Sequence, residues 1–294
     1  MDRYDGTLVR DVSGLETAMI HLMPKRTEAE VYLPGSLDVT ELMRYIEQHP
    51  EKHIGLFPAV ITALARMITE RPHFNRFIQG QKLYQRKKIT LSFVCKTRFE
   101  DDAPESLVVI TVQPDDTISS ISARMASEIE KKRAGEVTGS DSAVDRLAKV
   151  PFILRVIMFR ILRILDYCGA DLSKLTETDP NYCSILVSNL GSIGLPAMYH
   201  HLNNYGTTSC VMTLGKLRKE ETAAEDGTVE TRSFLEFGAA TDERIADGFY
   251  FAKSVRLLQY IISNPELLER PLSERSDFGA DHDAVNEHGK KESR

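Results

Sequence analysis

The feature that most constrains the fold is a strand, a polar turn and a helix in immediate succession. Residues 234–240 are strand-like, residues 249–262 are helix-like, and the run between them, 241–248, reads TDERIADG. Other strand-like and helix-like stretches alternate along the 294 residues, and several are joined by hairpin-like turns. This order predicts an α/β fold with a mixed sheet rather than an all-parallel one.

Hydrophobic periodicity and turn residues predict where the other elements lie. Strands are expected at residues 19–23, 30–33, 77–78, 89–96, 106–112, 184–189 and 209–214. Helices are expected at residues 38–48, where Asp38 and Glu41 form a capping box, and at 58–71 and 117–134. We expect one domain over residues 1–270. Residues 271–294 are polar and charged without an apolar period, which predicts a disordered tail.

Composition and charge exclude several classes of protein. A net charge of −6 argues against a dedicated nucleic-acid binder, which needs clustered Lys and Arg. The four cysteines, Cys95, Cys168, Cys183 and Cys210, are too widely spaced for a metal site and are expected to be reduced and mostly buried. Residues 1–14 do not resemble a signal segment, so we expect a cytoplasmic protein without a bound metal.

Residues 150–165 stand apart because they read VPFILRVIMFRILRIL, with Arg155, Arg160 and Arg163 as the only charges. The segment is too short and too charged to span a bilayer. We expect a helix that is buried on most sides, for example in a subunit interface. Two alternatives stay open: a helix on a membrane surface, and a wall for a long acyl chain.

Several separated motifs resemble one known family. The run 241–248 is similar to the His-x-x-x-Asp-Gly signature of chloramphenicol acetyltransferases and of dihydrolipoyl acyltransferase cores, with Glu243 at the His position. Residues 187–194, VSNLGSIG, resemble the Ile-Ser-Asn-Leu-Gly-x-x-Gly of the dihydrolipoyl enzymes, and 213–216, TLGK, resemble the Thr-Met-Gly-Lys of the acetyltransferases. Further matches lie at 57–59, 71–75 and 131–135. They occur in the family's order, and residues 143–170 form an apolar helical insertion.

This resemblance implies a fold, a reaction and an assembly. The fold is the chloramphenicol-acetyltransferase-like two-layer sandwich, a mixed β-sheet flanked by helices. The reaction transfers an acyl group from a thioester of coenzyme A or a carrier protein, as cosubstrate, to a hydroxyl, thiol or amine. Family members form trimers with the active site at the subunit boundary, which implies a homotrimer here. The apolar insertion suggests a donor longer than acetyl.

The resemblance also assigns roles to single residues. Ser188 matches the serine that stabilises the oxyanion of the tetrahedral intermediate. Thr213 matches a threonine that orders water near that intermediate. Asp247 matches the structural motif aspartate, and Arg26 resembles its usual partner. The resemblance also implies that Asn189 and Gly191 contact coenzyme A.

Glu243 decides whether the reaction takes place. The family histidine removes the acceptor's proton, and a carboxylate is a weaker base near pH 7 unless burial strengthens it. Three interpretations stay open: Glu243 is the base; His200 or His201 replaces it; or the site is inactive, with Glu243 paired to Arg244 or another cation. The alternative function is therefore a catalytically silent, trimeric binding or scaffold protein.

Overall fold

A six-stranded mixed sheet organises the chain in the computed structural model, which describes residues 1–96, 105–134, 149–223 and 228–278. Its strands are β2 (Glu30–Asp38), β5 (Ile89–Lys96), β6 (Glu105–Val112), β7 (Ile185–Asn189), β8 (Cys210–Ala223) and β9 (Val229–Asp242). Their order is β2-β9-β8-β7-β5-β6, with β7 parallel to β5 and β8 and the other pairs antiparallel. The predicted mixed sheet is confirmed.

A smaller sheet contains β1 (Gly6–Leu8), β3 (Arg76–Gln79) and β4 (Lys82–Arg86) in the order β1-β4-β3. The α-helices are α1 (Gly14–Leu22), α2 (Thr40–Gln48), α3 (Leu56–Glu70), α4 (Ile118–Arg133), α5 (Phe152–Cys168), α6 (Ser173–Thr176) and α7 (Gly248–Ser263). Short 3-10 turns lie at Arg26–Glu28, Pro50–Lys52, Pro72–Asn75, Pro180–Tyr182, Leu190–Ile193 and Pro265–Glu269.

The hydrophobic core lies between the large sheet and one layer of helices. The centre of that layer is α3, whose residues 59–68 are all buried and which packs against α4, α7 and β5. Even Arg66 is fully buried on this helix, because its guanidinium donates to the carbonyl oxygens of Arg270, Pro271 and Glu274. On the other face of the sheet, Leu202 packs in a small cluster with Val211 and Ala240.

Three sequence predictions are corrected by the structure. Residues 19–22 belong to α1 rather than to a strand, and Met23 is the C-cap, because Ser13 and Glu16 form a capping box that starts a helix. The helix predicted from residue 38 begins at Thr40; Asp38 accepts from the Thr40 N–H instead of forming a box with Glu41. The short strands β1 and β4 were not predicted.

The C-terminal boundary also differs from the prediction. Residues 271–278 are packed rather than disordered: Leu272 is buried and its N–H donates to the carbonyl oxygen of Asp116, 3.0 Å away. The Ser276 hydroxyl donates to Glu70 at 2.6 Å. The rest of the predicted tail, 279–294, lies outside the described residues, as do residues 224–227 and the start of the predicted insertion, 143–148.

The apolar segment forms the predicted helix, α5, but its predicted burial is wrong for the single chain. Asp166 is its only buried residue, and most of its apolar side chains are exposed. In the described ranges, no helix is long and apolar enough to cross a membrane. The subunit-interface interpretation stays a prediction, because it concerns contacts between chains.

Candidate active site

A cavity of about 720 Å³ lies where β9 ends and α7 begins. Its walls come from α1, β2, the segment after α3 and the run 241–248. Among the lining residues are Glu243 and Asp247, together with Arg71 and His73. The motif carboxylates and two basic side chains from a distant part of the chain therefore share one cavity.

The turn that carries Glu243 is fixed by a buried ion pair. The Asp242 carboxylate is fully buried and accepts from Nε and Nη2 of Arg244 at 2.7 and 2.6 Å. Arg244 also donates to the carbonyl oxygen of Met23, and the Glu243 N–H donates to that of Ala29 at 2.9 Å. These bonds attach the turn to the segment before β2, so the position of Glu243 is defined by its backbone.

The predicted partners of this turn need correction. Arg26 does not pair with Asp247; its Nε lies 3.7 Å from a carboxylate oxygen of Asp242. Asp247 is exposed and caps α7 by accepting from the Tyr250 N–H at 2.7 Å. The suggested pair of Glu243 with Arg244 is also wrong, because Arg244 is engaged by Asp242.

Two buried arginines surround one buried carboxylate at this ion pair. Arg26 and Arg244 share the single carboxylate of Asp242. Burial lowers the pKa of Arg26 to about 10, although Asp242 acts in the opposite direction. Within the described part of the chain, the Glu243 carboxylate has no hydrogen-bond or ion-pair partner, and it is half-buried in the cavity. It is therefore free to accept a proton or bind a cationic group.

His73 is a site residue that the sequence did not reveal. Its ring stacks on that of Tyr250, with centroids 4.4 Å apart and planes 9° from parallel. The Arg71 guanidinium lies over the Tyr250 ring, 3.7 Å from its centroid. Burial, followed by the charges of Arg76 and Arg71, lowers the pKa of His73. The imidazole is therefore mainly neutral near pH 7, and a neutral imidazole can accept a proton.

The predicted oxyanion residues lie on the neighbouring strands. Ser188 on β7 is opposite Thr213 on β8, which is opposite Gly238 on β9. Ser188 is half-buried, and its hydroxyl has no partner among the residues placed by the structure. Thr213 is buried, and its hydroxyl contacts the backbone N–H and carbonyl oxygen of Met198. Thr213 thus holds the segment around Met198 on the sheet.

Asn189 and Gly191 shape the turn after β7. The Asn189 side chain accepts from the Ser192 N–H at 3.2 Å. A side chain at Gly191 would overlap the carbonyl oxygen of Gly215, so only glycine allows this close approach. Both residues therefore support the turn beside Ser188, and their contacts with coenzyme A stay a prediction.

The two exposed histidines lie next to the start of β2, where Glu30 is paired with Asp242 of β9 in the sheet. His200 and His201 each have Nδ1 close to the carbonyl oxygen of the following residue, at 3.0 and 3.1 Å. The adjacent Leu202 N–H donates to Glu30 on β2 at 2.6 Å. Neither histidine lines the cavity of Glu243.

Ser188 and Glu243 are also far apart within one chain. Glu243 follows Gly238 by five residues, and Gly238 is level with Thr213 and therefore with Ser188. At about 3.3 Å per residue, this offset along β9 is on the order of 15 Å. A thioester carbonyl cannot contact both side chains of the same chain at once.

Three solved structures with this architecture are named as acetyltransferases. A probable dihydrolipoamide acetyltransferase from Listeria monocytogenes superposes with a TM-score of 0.57 and 16% identity, over 88% of this chain and 95% of that one. Dihydrolipoamide acetyltransferase of Azotobacter vinelandii gives 0.58 and 17%, over 88% and 93%. A chloramphenicol acetyltransferase gives 0.52 and 10%, over 88% and 98%.

Sequence comparison adds one partial match. Residues 167–269 match the family described as 2-oxoacid dehydrogenases acyltransferase (catalytic domain). No curated protein matches the sequence significantly. The matched stretch includes Ser188, Thr213, Glu243 and Asp247. The chain therefore has the fold of the chloramphenicol acetyltransferase-like superfamily and resembles, over residues 167–269, the catalytic domain of the 2-oxoacid dehydrogenase acyltransferases.

Proposed function

We propose that the chain is an acyltransferase that moves an acyl group from a thioester to a hydroxyl, thiol or amine acceptor. The thioester is one of coenzyme A or of a carrier protein. The observation that carries this proposal is the cavity at the end of β9, in which the half-buried Glu243 carboxylate has no partner among the described residues. In this fold, the cavity combines a proton acceptor with room for an acyl chain.

The proposed reaction uses a base from the cavity and the hydroxyl of Ser188, which lies outside it. A base removes the proton of the acceptor, whose oxygen, sulfur or nitrogen then attacks the thioester carbonyl carbon. The negative charge that develops on the carbonyl oxygen is stabilised by a hydroxyl, the role proposed for Ser188. The intermediate collapses with cleavage of the carbon–sulfur bond, and the thiolate leaves with the proton held by the base.

The active site is proposed to be completed between copies of the chain in a homotrimer. Ser188 and Glu243 of one chain are widely separated in the direction of the strands, which supports this proposal. The Ser188 hydroxyl of one copy would therefore act together with the Glu243 carboxylate of a second copy. The similar enzyme from Azotobacter vinelandii has a serine, a histidine and an asparagine with roles in its catalytic mechanism. That histidine and asparagine are four residues apart, as are Glu243 and Asp247.

Two residues in the cavity are candidates for the base. Glu243 occupies the position of the family histidine, and its carboxylate is unpaired within the described chain. His73 supplies a mainly neutral imidazole to the same cavity, since burial and nearby arginines lower its pKa. We propose Glu243 as the base and His73 as a group that binds the acceptor beside it. His201 is left as the less favoured alternative, because it lies outside the cavity.

The test is thiol release from a panel of acyl-coenzyme A donors with pooled hydroxyl, thiol and amine acceptors. We predict that Glu243→Gln lowers acceptor-dependent release by about a hundredfold or more, because a general base contributes that much. Glu47→Gln, an exposed carboxylate on α2, is the matched control and should leave the rate unchanged. Equal rates for wild type and Glu243→Gln would contradict the assignment, and a loss confined to His201→Gln would transfer the role to His201.

A second candidate is the catalytically silent trimeric binding protein. It is favoured by the carboxylate at the histidine position and by Thr213, whose hydroxyl is engaged by Met198 rather than free for a water molecule. Replacing Glu243→His separates the two functions. A silent protein with an intact site would gain transfer activity, whereas an enzyme adapted to a carboxylate base would lose most of its rate.

A further inference from the structure

One side of α5 is apolar and uncovered by any described part of the chain. Ile153, Ile157, Ile161 and Ile164 have the spacing of a single helical face, with Leu154 and Met158 beside them. Their side chains are between 43% and 71% exposed. Single exposed apolar residues are ordinary, but a contiguous apolar patch marks an interaction surface. We call these six residues the apolar side of α5.

The opposite side of α5 is attached to the body of the protein. Asp166 is buried and accepts from Arg3, Gln79 and Tyr182 at 2.7, 2.6 and 3.0 Å. Phe159 makes an edge contact with the Tyr205 ring, with centroids 6.1 Å apart. The helix is thus held along the side of Asp166, which leaves the apolar side on the protein surface.

The exposed charges of α5 are positive, although the whole chain has a net charge of −6. Arg160 and Arg163 are exposed, whereas Asp166, the only acidic residue of the helix, is buried and paired with Arg3. Among the described residues, no acidic side chain pairs with these two arginines, so the helix presents positive charge beside its apolar side. This combination complements a surface that is both apolar and anionic.

A cationic cavity of about 220 Å³ lies at the C-terminal end of the same helix. Arg163 lines it together with Lys25, Arg26 and Arg244. Lys25 pairs with Glu28, and Arg26 and Arg244 share the carboxylate of Asp242, so the positive charge of the cavity exceeds its negative charge mainly through Arg163 and the shared pair. Its only acidic lining residue is Asp166, whose oxygens already accept three hydrogen bonds. Nε of the buried Arg26 has no hydrogen-bond partner. The cavity therefore has the size and charge to receive a phosphate group.

We propose that α5 lies on the surface of an anionic lipid bilayer. The apolar side enters the boundary between headgroups and acyl chains, Arg160 contacts lipid phosphates, and the cationic cavity next to Arg163 receives one headgroup phosphate. Amphipathic helices with arginine on their polar side bind membranes in this way, and each basic residue near an anionic surface adds to the attraction. The proposal is independent of the acyltransferase activity.

A second copy of the chain fits the apolar side less well. Pairing two copies of α5 through their apolar sides would bring Arg160 and Arg163 of both copies together. No exposed carboxylate on the helix would compensate that charge, and like charges across an interface are unfavourable. An anionic bilayer satisfies the apolar residues and the arginines at the same time.

The experiment is co-sedimentation of the full chain with vesicles of phosphatidylcholine alone or mixed with phosphatidylglycerol. We expect sedimentation with the mixed vesicles, weakening as salt is added, and little with phosphatidylcholine alone. The double variant Ile157→Glu and Ile161→Glu should lose at least about tenfold in partitioning, and Arg160→Glu with Arg163→Glu a similar factor. Leu22→Glu is the matched control, because Leu22 is 76% exposed on α1 and should not affect binding.

Circular dichroism and size-exclusion chromatography with light scattering check each variant's fold and mass. All four substituted positions are exposed or half-exposed, so native spectra are expected. The proposal is overturned if wild type fails to sediment with the mixed vesicles or if the isoleucine variant still binds them. It is also overturned if that variant changes the mass of the assembly while vesicle binding is absent, which would make the apolar side an interface between copies.

Discussion

At the scale of single residues, the buried pair of Asp242 and Arg244 explains why Glu243 is so well placed. Asp242 and Arg244 neutralise each other's charge within the turn. The Glu243 carboxylate, which lies between them in the sequence, therefore has no partner in the described chain. The catalytic proposal depends on this arrangement, because a carboxylate paired with an arginine would be a poorer base. The interpretation in which Glu243 is neutralised by Arg244 is excluded by the same geometry.

His73 makes a prediction about pH and stability. Its pKa is lower in the folded protein than the ordinary value near 6.5, so the unfolded chain binds the additional proton more readily. Folding stability contributed by the neutral imidazole is therefore complete above about pH 7 and is lost as pH falls through 6.5 towards the folded pKa. Urea unfolding of wild type and His73→Gln between pH 5 and 8 measures this. His73→Gln should have the flatter profile.

The control for this prediction is His21→Gln, since His21 is exposed on α1. Its profile should follow wild type. If His73→Gln also follows wild type throughout the range, the imidazole is not held in its neutral form by burial and the nearby arginines. Its proposed place beside Glu243 as an uncharged group would then be wrong.

The sequence predicted some site residues and missed others for a physical reason. Glu243 and Asp247 lie in one short turn, so a local motif was sufficient to find them. His73 reaches the same cavity from the end of α3, about 170 residues away in the chain. No local pattern encodes that contact. The predicted pairing of Arg26 with Asp247 failed similarly, because the fold brings Arg26 to Asp242.

At the scale of elements, Asp166 is the residue that attaches α5 to the small sheet. Asp166→Asn removes the charge that pairs with Arg3 and keeps a similar volume. We expect the free energy of unfolding to fall by about 1–3 kcal/mol, because the buried donors of Gln79 and Tyr182 lose a charged acceptor. The loss is limited because Asp5 still pairs with Arg3. Backbone amides of α5 should exchange hydrogen faster as the helix detaches.

Hydrogen exchange followed by mass spectrometry, with urea unfolding, measures both effects. Glu177→Gln is the matched control, because Glu177 is exposed and its side chain makes no hydrogen bond or ion pair in the described chain. Unchanged exchange of α5 in Asp166→Asn would show that other contacts, such as Phe159 with Tyr205, are sufficient to hold the helix.

Elements with strong apolar periodicity were the most predictable ones. The strand at 89–96 was predicted at its observed bounds, and α5 was predicted as a helix. The end of α2 at residue 48 was also predicted, although its start was not. Burial of α5 could not be predicted, since the sequence does not specify which surface covers an apolar helix. The error at residues 19–23 arose because five consecutive residues fit a strand as well as a helix until the cap at Ser13 is considered.

At the scale of the whole molecule, the fold separates the two proposed half-sites. One contains Glu243, His73 and the large cavity, and the other contains Ser188 with the turn at Asn189. A trimer would join each half-site to the complementary half of a neighbouring copy. In the same assembly, each copy would present one α5, and several membrane contacts would add to the avidity of binding.

The most direct test of this account is complementation between two inactive variants. Ser188→Ala and Glu243→Gln are each measured alone for acceptor-dependent thiol release, then co-expressed and purified as mixed assemblies. If the active site is shared, random mixing leaves about a quarter of the sites with both native residues, and a similar fraction of wild-type activity returns. Mixed assemblies that stay as inactive as either parent, in a protein whose wild type is active, would contradict the shared acyltransferase site.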